Sequence, residues 1–313
     1  MDRAVIVVAG PTASGKSALA LDLAREFGGV VVNADAMQVY DGLRVLTARP
    51  TPEDEAAAPH RLYGVLPPSE ACSAGRWREM AALALEDAWA AGSLPVVVGG
   101  TGLYIRALTR GLSPIPEVPA DIRDRARALF ASLGNDAFHR LLSERDPLTA
   151  GRLHPGNSQR LVRAFEVFEA TGRPLAEWQA APPTGGVAAR ILTLVLEPPR
   201  EALYAACDGR FLAMLERGAL DEARHLAALG LDPALPAMKA LGVPELLRVA
   251  RGEIGVEQAA PAAQRATRNF AKRQLTWFRH QLDDPVRIPA QYSESLGPKI
   301  FSIIREFLLT GQA

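Results

Sequence analysis

The sequence of 313 residues has only two cysteines, Cys72 and Cys207, which lie far apart and in no metal-ligand spacing. They argue against a disulfide scaffold and a cysteine-rich metal site, and they suit a reducing compartment. The five histidines form no ligand cluster such as His-Glu-x-x-His. No apolar run is long enough to span a bilayer, and the N-terminus does not fit a signal peptide. These absences predict a cytoplasmic protein without a membrane partner.

The sequence also lacks an excess of charge of either sign, because Lys and Arg number 35 and Asp and Glu number 35. A net charge of zero neither predicts nor excludes a nucleic-acid partner, since local clustering of charge decides binding. Hydrophobic residues make up 48% of the chain, which is ample for one or two buried cores. The partner must therefore be inferred from motifs.

Short apolar runs alternate with helical periodicity along much of the chain. Ala4–Ala9 is continuously apolar and rich in β-branched residues, as is typical of a strand buried on both faces of a parallel sheet. Similar runs occur at Val30–Asn33, Leu94–Val98 and Ile191–Leu196, and helical spacing occurs at Ser17–Phe27 and Ala74–Ala91. This alternation predicts an α/β fold with a parallel sheet flanked by helices.

Two proline-containing breaks, at Ser113–Pro119 and Ala180–Gly186, interrupt this pattern. Between them, residues 120–178 show helical periodicity rich in Arg and Ala and no convincing strand. We therefore predict a helical insertion domain within one α/β core. The first part of the core is residues 1–112, the insertion is 113–186, and residues 187–313 complete the core with one strand and C-terminal helices.

A glycine-rich turn between the first predicted strand and the first predicted helix satisfies Gly-x4-Gly-Lys-Ser/Thr. Its residues are Gly10, Pro11, Thr12, Ala13, Ser14, Gly15, Lys16 and Ser17. In such a P-loop, backbone N–H groups and the helix N-terminus surround a phosphate. Lys16 supplies a point charge, and the Ser17 hydroxyl can join the shell of a Mg²⁺ ion. The motif is typical of nucleotide-binding proteins, including ATP-binding ones, and does not specify the reaction.

The predicted strand Leu94–Val98 leads into Gly99-Gly100-Thr101, and this end of the strand carries no carboxylate. Nucleotide hydrolases commonly place an acidic residue there to hold Mg²⁺ and orient water. Its absence weakens an ATPase or GTPase interpretation. It favours a diphosphate leaving group, stabilised by backbone N–H groups, Lys16 and the Thr101 hydroxyl.

Asp35 lies just after the second predicted strand, where the carboxyl ends of parallel strands border a ligand crevice. A carboxylate there faces the phosphate loop and can accept a proton from a nucleophile. From position alone, the N-cap of a helix is an equally good interpretation.

Taken together, the segments resemble the bacterial type of tRNA dimethylallyltransferase, also called isopentenyl-tRNA transferase. The resemblance runs over nearly the whole chain. It is carried by the P-loop, Asp35–Tyr40 (DAMQVY), Pro59–Trp77, Gly99–Leu108 (GGTGLYIRAL), Asp146–Pro174, Asp208–Leu220 and Thr267–Arg279 (TRNFAKRQLTWFR).

The resemblance implies that dimethylallyl diphosphate binds with its diphosphate on the P-loop, together with Mg²⁺. The exocyclic amine of the adenine 3′-adjacent to the anticodon of a tRNA then attacks the allylic carbon. The motif match gives Asp35 the base role and places Thr101 and Arg210 at the diphosphate or the reacting centre. The adenine must leave the stack of the anticodon loop to reach them. We expect a monomer.

The resemblance also implies a set of tRNA contacts: Asp35, Ala36, Met37, Gln38, Thr101, Arg123, Gln159, Arg160, Leu161, Val162 and Arg163. The last five open a predicted helix, Asn157–Ala170; its pattern alone favours a solvated polar face. Farther along, residues spaced by three, four and seven predict a basic stripe on one helix, able to follow a phosphate backbone. They are Arg265, Arg268, Lys272 and Arg279.

Two loops depart from the family pattern. Arg44–Pro50 (RVLTARP) stands where the family has aspartate-isoleucine-glycine-threonine-alanine-lysine-proline, and Ala240–Pro244 lacks the usual following tyrosine. Two other functions stay open. A small-molecule kinase would consume ATP on a hydroxylated metabolite, and a nucleotide-dependent RNA-binding module would bind tRNA without modifying it.

Overall fold

The computed structural model describes residues 3–310. In chain order, the strands are β1 Ala4–Ala9, β2 Gly29–Asn33, β3 His60–Arg61, β4 Leu94–Gly99, β5 Gly111–Leu112, β6 Thr184–Gly185, β7 Arg190–Leu196 and β8 Val286–Ile288. The helices are α1 Lys16–Phe27, α2 Pro52–Ala57, α3 Ala74–Ala90, α4 Gly102–Thr109, α5 Ala120–Arg145, α6 Pro147–Ala150, α7 Ser158–Thr171, α8 Leu175–Ala180, α9 Arg200–Glu216, α10 Ala219–Ala228, α11 Val243–Ala250, α12 Val256–Gln281 and α13 Gly297–Leu309. Two 3₁₀ turns occur at Ala237–Lys239 and Glu294–Leu296.

The chain divides into two compact units. The larger unit contains residues 3–109 and 187–310, and the smaller unit is Arg110–Gly186. The sequence predicts that the insertion begins at residue 113, three residues later. The difference arises because β5 and β6 pair antiparallel, through Gly111 with Gly185 and Leu112 with Thr184, and this pairing places residues 111 and 112 in the smaller unit.

The larger unit is built on a six-stranded sheet with the order β3-β2-β4-β1-β7-β8, and all its pairings are parallel. All six residues of β1 are buried because this strand pairs with β4 and β7 and has a core on each face. Val5 and Val7 enter one core and Ile6 and Val8 the other, as the alternation of side chains along a strand requires. The predicted α/β fold with a parallel sheet and flanking helices is confirmed. The prediction of one strand after residue 187 is wrong, because β7 and the three-residue β8 both join the sheet there.

The ends of β2 and β4 approach each other closely at Gly99. A Cβ atom at this position would lie 2.1 Å from the Ala34 carbonyl oxygen, so only glycine fits. The Ala34 N–H donates to the Val98 carbonyl at 2.7 Å, and the Thr101 N–H donates to the Ala34 carbonyl at 3.2 Å. These contacts bring the segments that carry Asp35 and Thr101 side by side at the carboxyl edge of the sheet.

The smaller unit consists of α5 to α8 and the short pair β5–β6, in accord with the predicted helical character of the insertion. Gly134, with φ 70°, interrupts α5 in a conformation that glycine adopts readily. The core of this unit is formed mainly by Phe138, Leu142, Leu161 and Phe165.

No helix within residues 3–310 is long and apolar enough to cross a membrane.

Candidate active site

The glycine-rich turn lies between β1 and α1. Gly15, with φ 86°, and Ala13, with φ 63°, both adopt left-handed backbone conformations. The Ser14 carbonyl accepts a hydrogen bond from the Tyr292 N–H at 3.0 Å, which ties the turn to the segment after β8. The turn borders a cleft of ≈ 340 Å³. Because α1 begins at Lys16, the free N–H groups of its first turn are available to an anion.

Two cations, Lys16 and Arg210, line this cleft. The Lys16 Nζ donates to the Pro11 carbonyl at 3.3 Å, and Arg210 donates through Nη2 to the Thr12 hydroxyl. Burial lowers the pKa of Lys16 to about 8; the negative charge of Asp35 opposes this shift, and the positive charge of Arg210 adds to it. Burial likewise lowers the pKa of the Arg210 guanidinium. Within the described part of the chain, neither cation forms an ion pair, so both can bind an anion.

Asp35 is held by the residue that ends β2. The Asn33 Oδ1 accepts from the Asp35 N–H at 2.8 Å, and its Nδ2 donates to the Asp35 carbonyl at 3.0 Å. The Asp35 Oδ1 accepts from the Met37 N–H at 3.0 Å in a turn that does not continue as a helix. The helix N-cap interpretation of Asp35 is therefore wrong. Its Oδ2 has no hydrogen-bond partner among residues 3–310 and can accept a proton.

Thr101 is the neighbour of Asp35 across the two strand ends. Its Oγ1 accepts from the Ala36 N–H at 2.9 Å, which leaves the hydroxyl proton able to donate to a ligand. The carboxylate of Asp35 also acts electrostatically on Lys16 and Arg210. The structure therefore brings Lys16, Asp35, Thr101 and Arg210 to the same edge of the sheet.

The Gln38 side chain has a structural role that the sequence did not indicate. Its Nε2 donates to the Thr47 carbonyl at 2.8 Å and to the Ala48 carbonyl at 3.0 Å. The carboxylate of Glu222 accepts from two further N–H groups of this loop, those of Val45 and Leu46. The loop that departs from the family pattern is therefore fixed from two sides, and the Gln38 Oε1 has no hydrogen-bond partner within residues 3–310.

In the smaller unit, the other predicted tRNA contacts differ in exposure. Gln159 and Arg160 are exposed at the start of α7, and Val162 is half-buried. Arg163 forms an ion pair with buried Glu166 at 3.4 Å. Leu161 is 0% exposed in the core of this unit, so its predicted tRNA contact is corrected: the side chain is not available. Arg123, on α5, is half-buried.

The predicted basic stripe on α12 is wrong at one position. Arg268 contacts both carboxylate oxygens of Asp208, at 2.5 and 2.6 Å, and this pairing neutralises its charge. Arg265, Lys272 and Arg279 are exposed, as the spacing predicts. Asp208 lies on α9 two residues before Arg210, so the ion pair contributes to the placement of that helix.

Gln274 is a buried residue of the site that the motif analysis missed. It hydrogen-bonds to the backbone of Thr12 and of Gly100. The sequence did contain a signal for it: Gln274 is a polar residue at helical spacing from the small and apolar residues that form the buried face of α12. The buried residues of α12 are Ala259, Ala260, Ala263, Thr267, Ala271, Gln274 and Phe278.

The residues suit a magnesium ion that is bound mainly through a substrate. No group of three His, Cys, Asp or Glu side chains within residues 3–310 could hold a metal. Mg²⁺ commonly binds through phosphate oxygens, several waters and one or two protein oxygens. The exposed Ser17 hydroxyl, in the first turn of α1, fits that limited requirement.

Comparisons with known proteins identify the family of the chain. Residues 38–281 match the family model of the IPP transferases, and residues 3–65 match that of isopentenyl transferase. The chain is 63% identical to a tRNA dimethylallyltransferase of Rhodospirillum centenum over 284 residues, 90% of each chain. It is 59% identical to the enzyme of that name in Paramagnetospirillum magneticum over 305 residues, 97% of each chain.

Solved structures give the same relationship. The full-length tRNA isopentenylpyrophosphate transferase of Bacillus halodurans matches with a TM-score of 0.70 and 30% identity, covering 97% of this chain and 96% of that one. A eukaryotic dimethylallyltransferase, captured in crystallographic snapshots acting on tRNA, matches with a TM-score of 0.84 and 26% identity, covering 99% of this chain and 80% of that one. The chain therefore belongs to the IPP transferase family.

Proposed function

We propose that this tRNA dimethylallyltransferase moves the prenyl group of dimethylallyl diphosphate to the exocyclic amine of the adenine 3′-adjacent to the anticodon, and releases diphosphate. The observation that carries the proposal is a phosphate loop with two cations, Lys16 and Arg210, that form no ion pair within residues 3–310. The carboxylate of Asp35, with its free Oδ2, lies close enough to act electrostatically on both. The cations suit an anionic leaving group, and the carboxylate suits an amine nucleophile.

The leaving group occupies the cradle of Gly10–Ser17. Backbone N–H groups at the start of α1 and the side chains of Lys16 and Arg210 stabilise the negative charge that grows as the C–O bond breaks. The Ser17 hydroxyl would be the protein ligand of a bound Mg²⁺, which would neutralise part of the diphosphate charge. These groups can stabilise a departing diphosphate without a carboxylate that activates water. That absence fits a transfer reaction better than a hydrolysis.

The amine is activated on the other side of the cleft. As the N–C bond forms, the Asp35 Oδ2 accepts a proton from the nitrogen, while the Met37 N–H holds Oδ1 in place. The Thr101 hydroxyl, already an acceptor from the Ala36 N–H, donates its proton toward the base or the departing oxygen. One positioned base of this kind contributes about 10²–10⁴-fold in rate.

We propose further that tRNA contacts Asp35, Ala36, Met37, Gln38 and Thr101 on the larger unit. On the smaller unit it contacts Arg123, Gln159, Arg160, Val162 and Arg163. A monomer suffices for the chemistry, because the larger unit of one chain supplies all four residues Lys16, Asp35, Thr101 and Arg210.

The direct test is incubation of the purified protein with unmodified tRNA, dimethylallyl diphosphate and Mg²⁺, followed by mass analysis of the nucleosides. We expect a prenyl mass gain on one adenosine next to the anticodon, without ATP. Turnover that requires ATP and phosphorylates a hydroxylated metabolite would instead support a kinase. Tight tRNA binding that leaves every adenosine unmodified would support a binding module.

The lowered pKa of Lys16 predicts a pH dependence of kcat/KM for dimethylallyl diphosphate. In the free protein Lys16 is charged below about pH 8 and loses its proton above it, so attraction for the diphosphate is complete below that pH and declines above it. We expect kcat/KM to fall by up to about tenfold per pH unit above that pKa. A profile that stays flat up to pH 10 would contradict this assignment.

Arg160 is exposed on α7 and has no ion-pair partner within residues 3–310. If it contacts a tRNA phosphate, Arg160→Gln should raise the KM for tRNA and reduce the slope of log KM against log salt by about one. The kcat and the KM for dimethylallyl diphosphate should not change. Arg127→Gln removes the same charge from the same unit at an exposed site and serves as control. Equal effects in both variants would remove Arg160 from the interface.

A further inference from the structure

Gln274 joins two separate parts of the candidate active site through a single amide group. Its Oε1 accepts from the Thr12 N–H at 2.8 Å, and its Nε2 donates to the Gly100 carbonyl at 2.8 Å. Gln274 is 6% exposed, so both bonds are shielded from water. The amide thereby connects the phosphate loop to the segment that leads into Thr101. The Thr12 N–H is directed at Gln274 and is not one of the donors free for a phosphate.

The backbone on both sides of Thr101 packs directly against α12. A Cβ atom on Gly100 would lie 2.1 Å from the Gln274 Nε2, and one on Gly102 would lie 2.2 Å from the ring of Trp277. Glycine at these two positions therefore allows the helix to approach the chain. The approach places the Gln274 amide at hydrogen-bonding distance from the Gly100 carbonyl.

The same helix fixes the element that carries Arg210. Arg268 pairs with the Asp208 carboxylate, and Gln264 donates to the Asp208 carbonyl at 3.1 Å. Gln264, Arg268 and Gln274 on α12 therefore hold α9, the phosphate loop and the Thr101 segment in one arrangement. Gln274 is the member that contacts both the leaving-group side and the amine side.

We propose that Gln274 is a positioning residue of the prenyl transfer: it sets the separation between the diphosphate-binding loop and the Thr101 segment, to which Asp35 is bound through Ala36. This inference rests on the proposed function. Transfer requires the reacting atoms to lie about 3–3.5 Å apart and in line, and a misplacement of about 1 Å can cost about 10²-fold in rate. Because Gln274 acts through the backbone and touches no substrate, its loss should lower kcat and leave the KM values nearly unchanged.

The first test is Gln274→Met, which keeps a similar length and removes both hydrogen bonds. We expect kcat to fall about 10²-fold, with the KM values for tRNA and dimethylallyl diphosphate changed by less than about threefold. Thr267→Val is the matched control, because it removes a buried hydroxyl from the same helix; among the described residues, that hydroxyl bonds only to the Ala263 carbonyl, at 2.8 Å. It should lower stability and leave kcat unchanged. A folded Gln274→Met variant with wild-type kcat would overturn the proposal.

The second test separates positioning from simple structural support. Gly100→Ala should destabilise the protein, because its Cβ collides with the Gln274 amide. Adding Gln274→Ala removes the obstacle, so the double variant should recover much of the melting temperature that Gly100→Ala loses. If Gln274 positions the site, kcat of the double variant stays about 10²-fold low although the fold is restored. Recovery of kcat together with the melting temperature would show that the amide has only a structural role.

Measurement of the wild-type protein in the same assay distinguishes failure of the proposed prenyl transfer from failure of the positioning role of Gln274. Failure of the proposed function appears as a wild-type protein that transfers no prenyl group. Failure of the positioning role appears as an active wild type with a Gln274→Met variant of equal kcat.

Discussion

Asp35→Asn is expected to reduce kcat by about 10²–10⁴-fold, the contribution of one positioned general base. Asparagine is nearly isosteric, and its Oδ1 can still accept from the Met37 N–H, so the turn at residues 35–37 should persist. The amide cannot take the proton that the Oδ2 of aspartate accepts. The KM for dimethylallyl diphosphate should change little at pH 6, where Lys16 stays charged even without the Asp35 charge that raises its pKa, because Asp35 is not part of the phosphate cradle.

The measurement is steady-state transfer to unmodified tRNA, with circular dichroism to verify folding. Asp41→Asn is a suitable control: it neutralises a carboxylate that is 77% exposed and whose one ion-pair partner in the described part of the chain is Arg49, at 3.6 Å. It should retain wild-type kcat. An Asp35→Asn variant with full turnover would remove Asp35 from the base role and leave the diphosphate site unaffected.

Lys16→Met is expected to lower kcat/KM for dimethylallyl diphosphate by about 10²–10³-fold, as the loss of one preorganised group that stabilises developing negative charge commonly does. Arg210 and the N–H groups of α1 remain, so transfer should be slowed and not abolished. The charged Lys16 is disfavoured by burial, as its lowered pKa shows. Methionine removes that charge, and we therefore expect the melting temperature to be unchanged or higher.

Kinetics at varied dimethylallyl diphosphate and saturating tRNA measure this effect, and the pH dependence above pH 8 should disappear in the variant. Lys299→Met serves as control, since this lysine is exposed on α13. A Lys16→Met variant that binds and transfers like wild type would mean that the diphosphate does not occupy the loop.

Local features of the site could be predicted because their determinants are contiguous in sequence. A strand, a glycine turn and a helix follow one another at residues 4–27, so the phosphate loop forms wherever those residues fold together. The strands β1, β2, β4 and β7 could be predicted from short runs that are mostly apolar. Strands β3, β5 and β6, of two residues each, have no period to detect, and their pairing depends on neighbours brought by the fold.

Other features could not be predicted because they depend on distant partners. The charge pattern of α12 gave no sign that Asp208, 60 residues earlier, neutralises Arg268. The family resemblance assigned residues 159–163 to tRNA as one segment, and the structure shows that Leu161 within this segment faces the core. For Asp35, position alone left a helix cap and a free carboxylate equally open, and the turn at Met37 resolved the choice.

The sequence by itself determined the phosphate loop, the alternation of the main buried strands with helices, and the family to which the chain belongs, because each is encoded in local runs and motifs. Only the tertiary structure decided which side chains meet at the cleft. The bond from the Thr12 N–H to Gln274 spans 262 positions of the chain. Such a contact is set by how α12 packs across the sheet, and packing depends on all the buried surfaces together and not on any one segment.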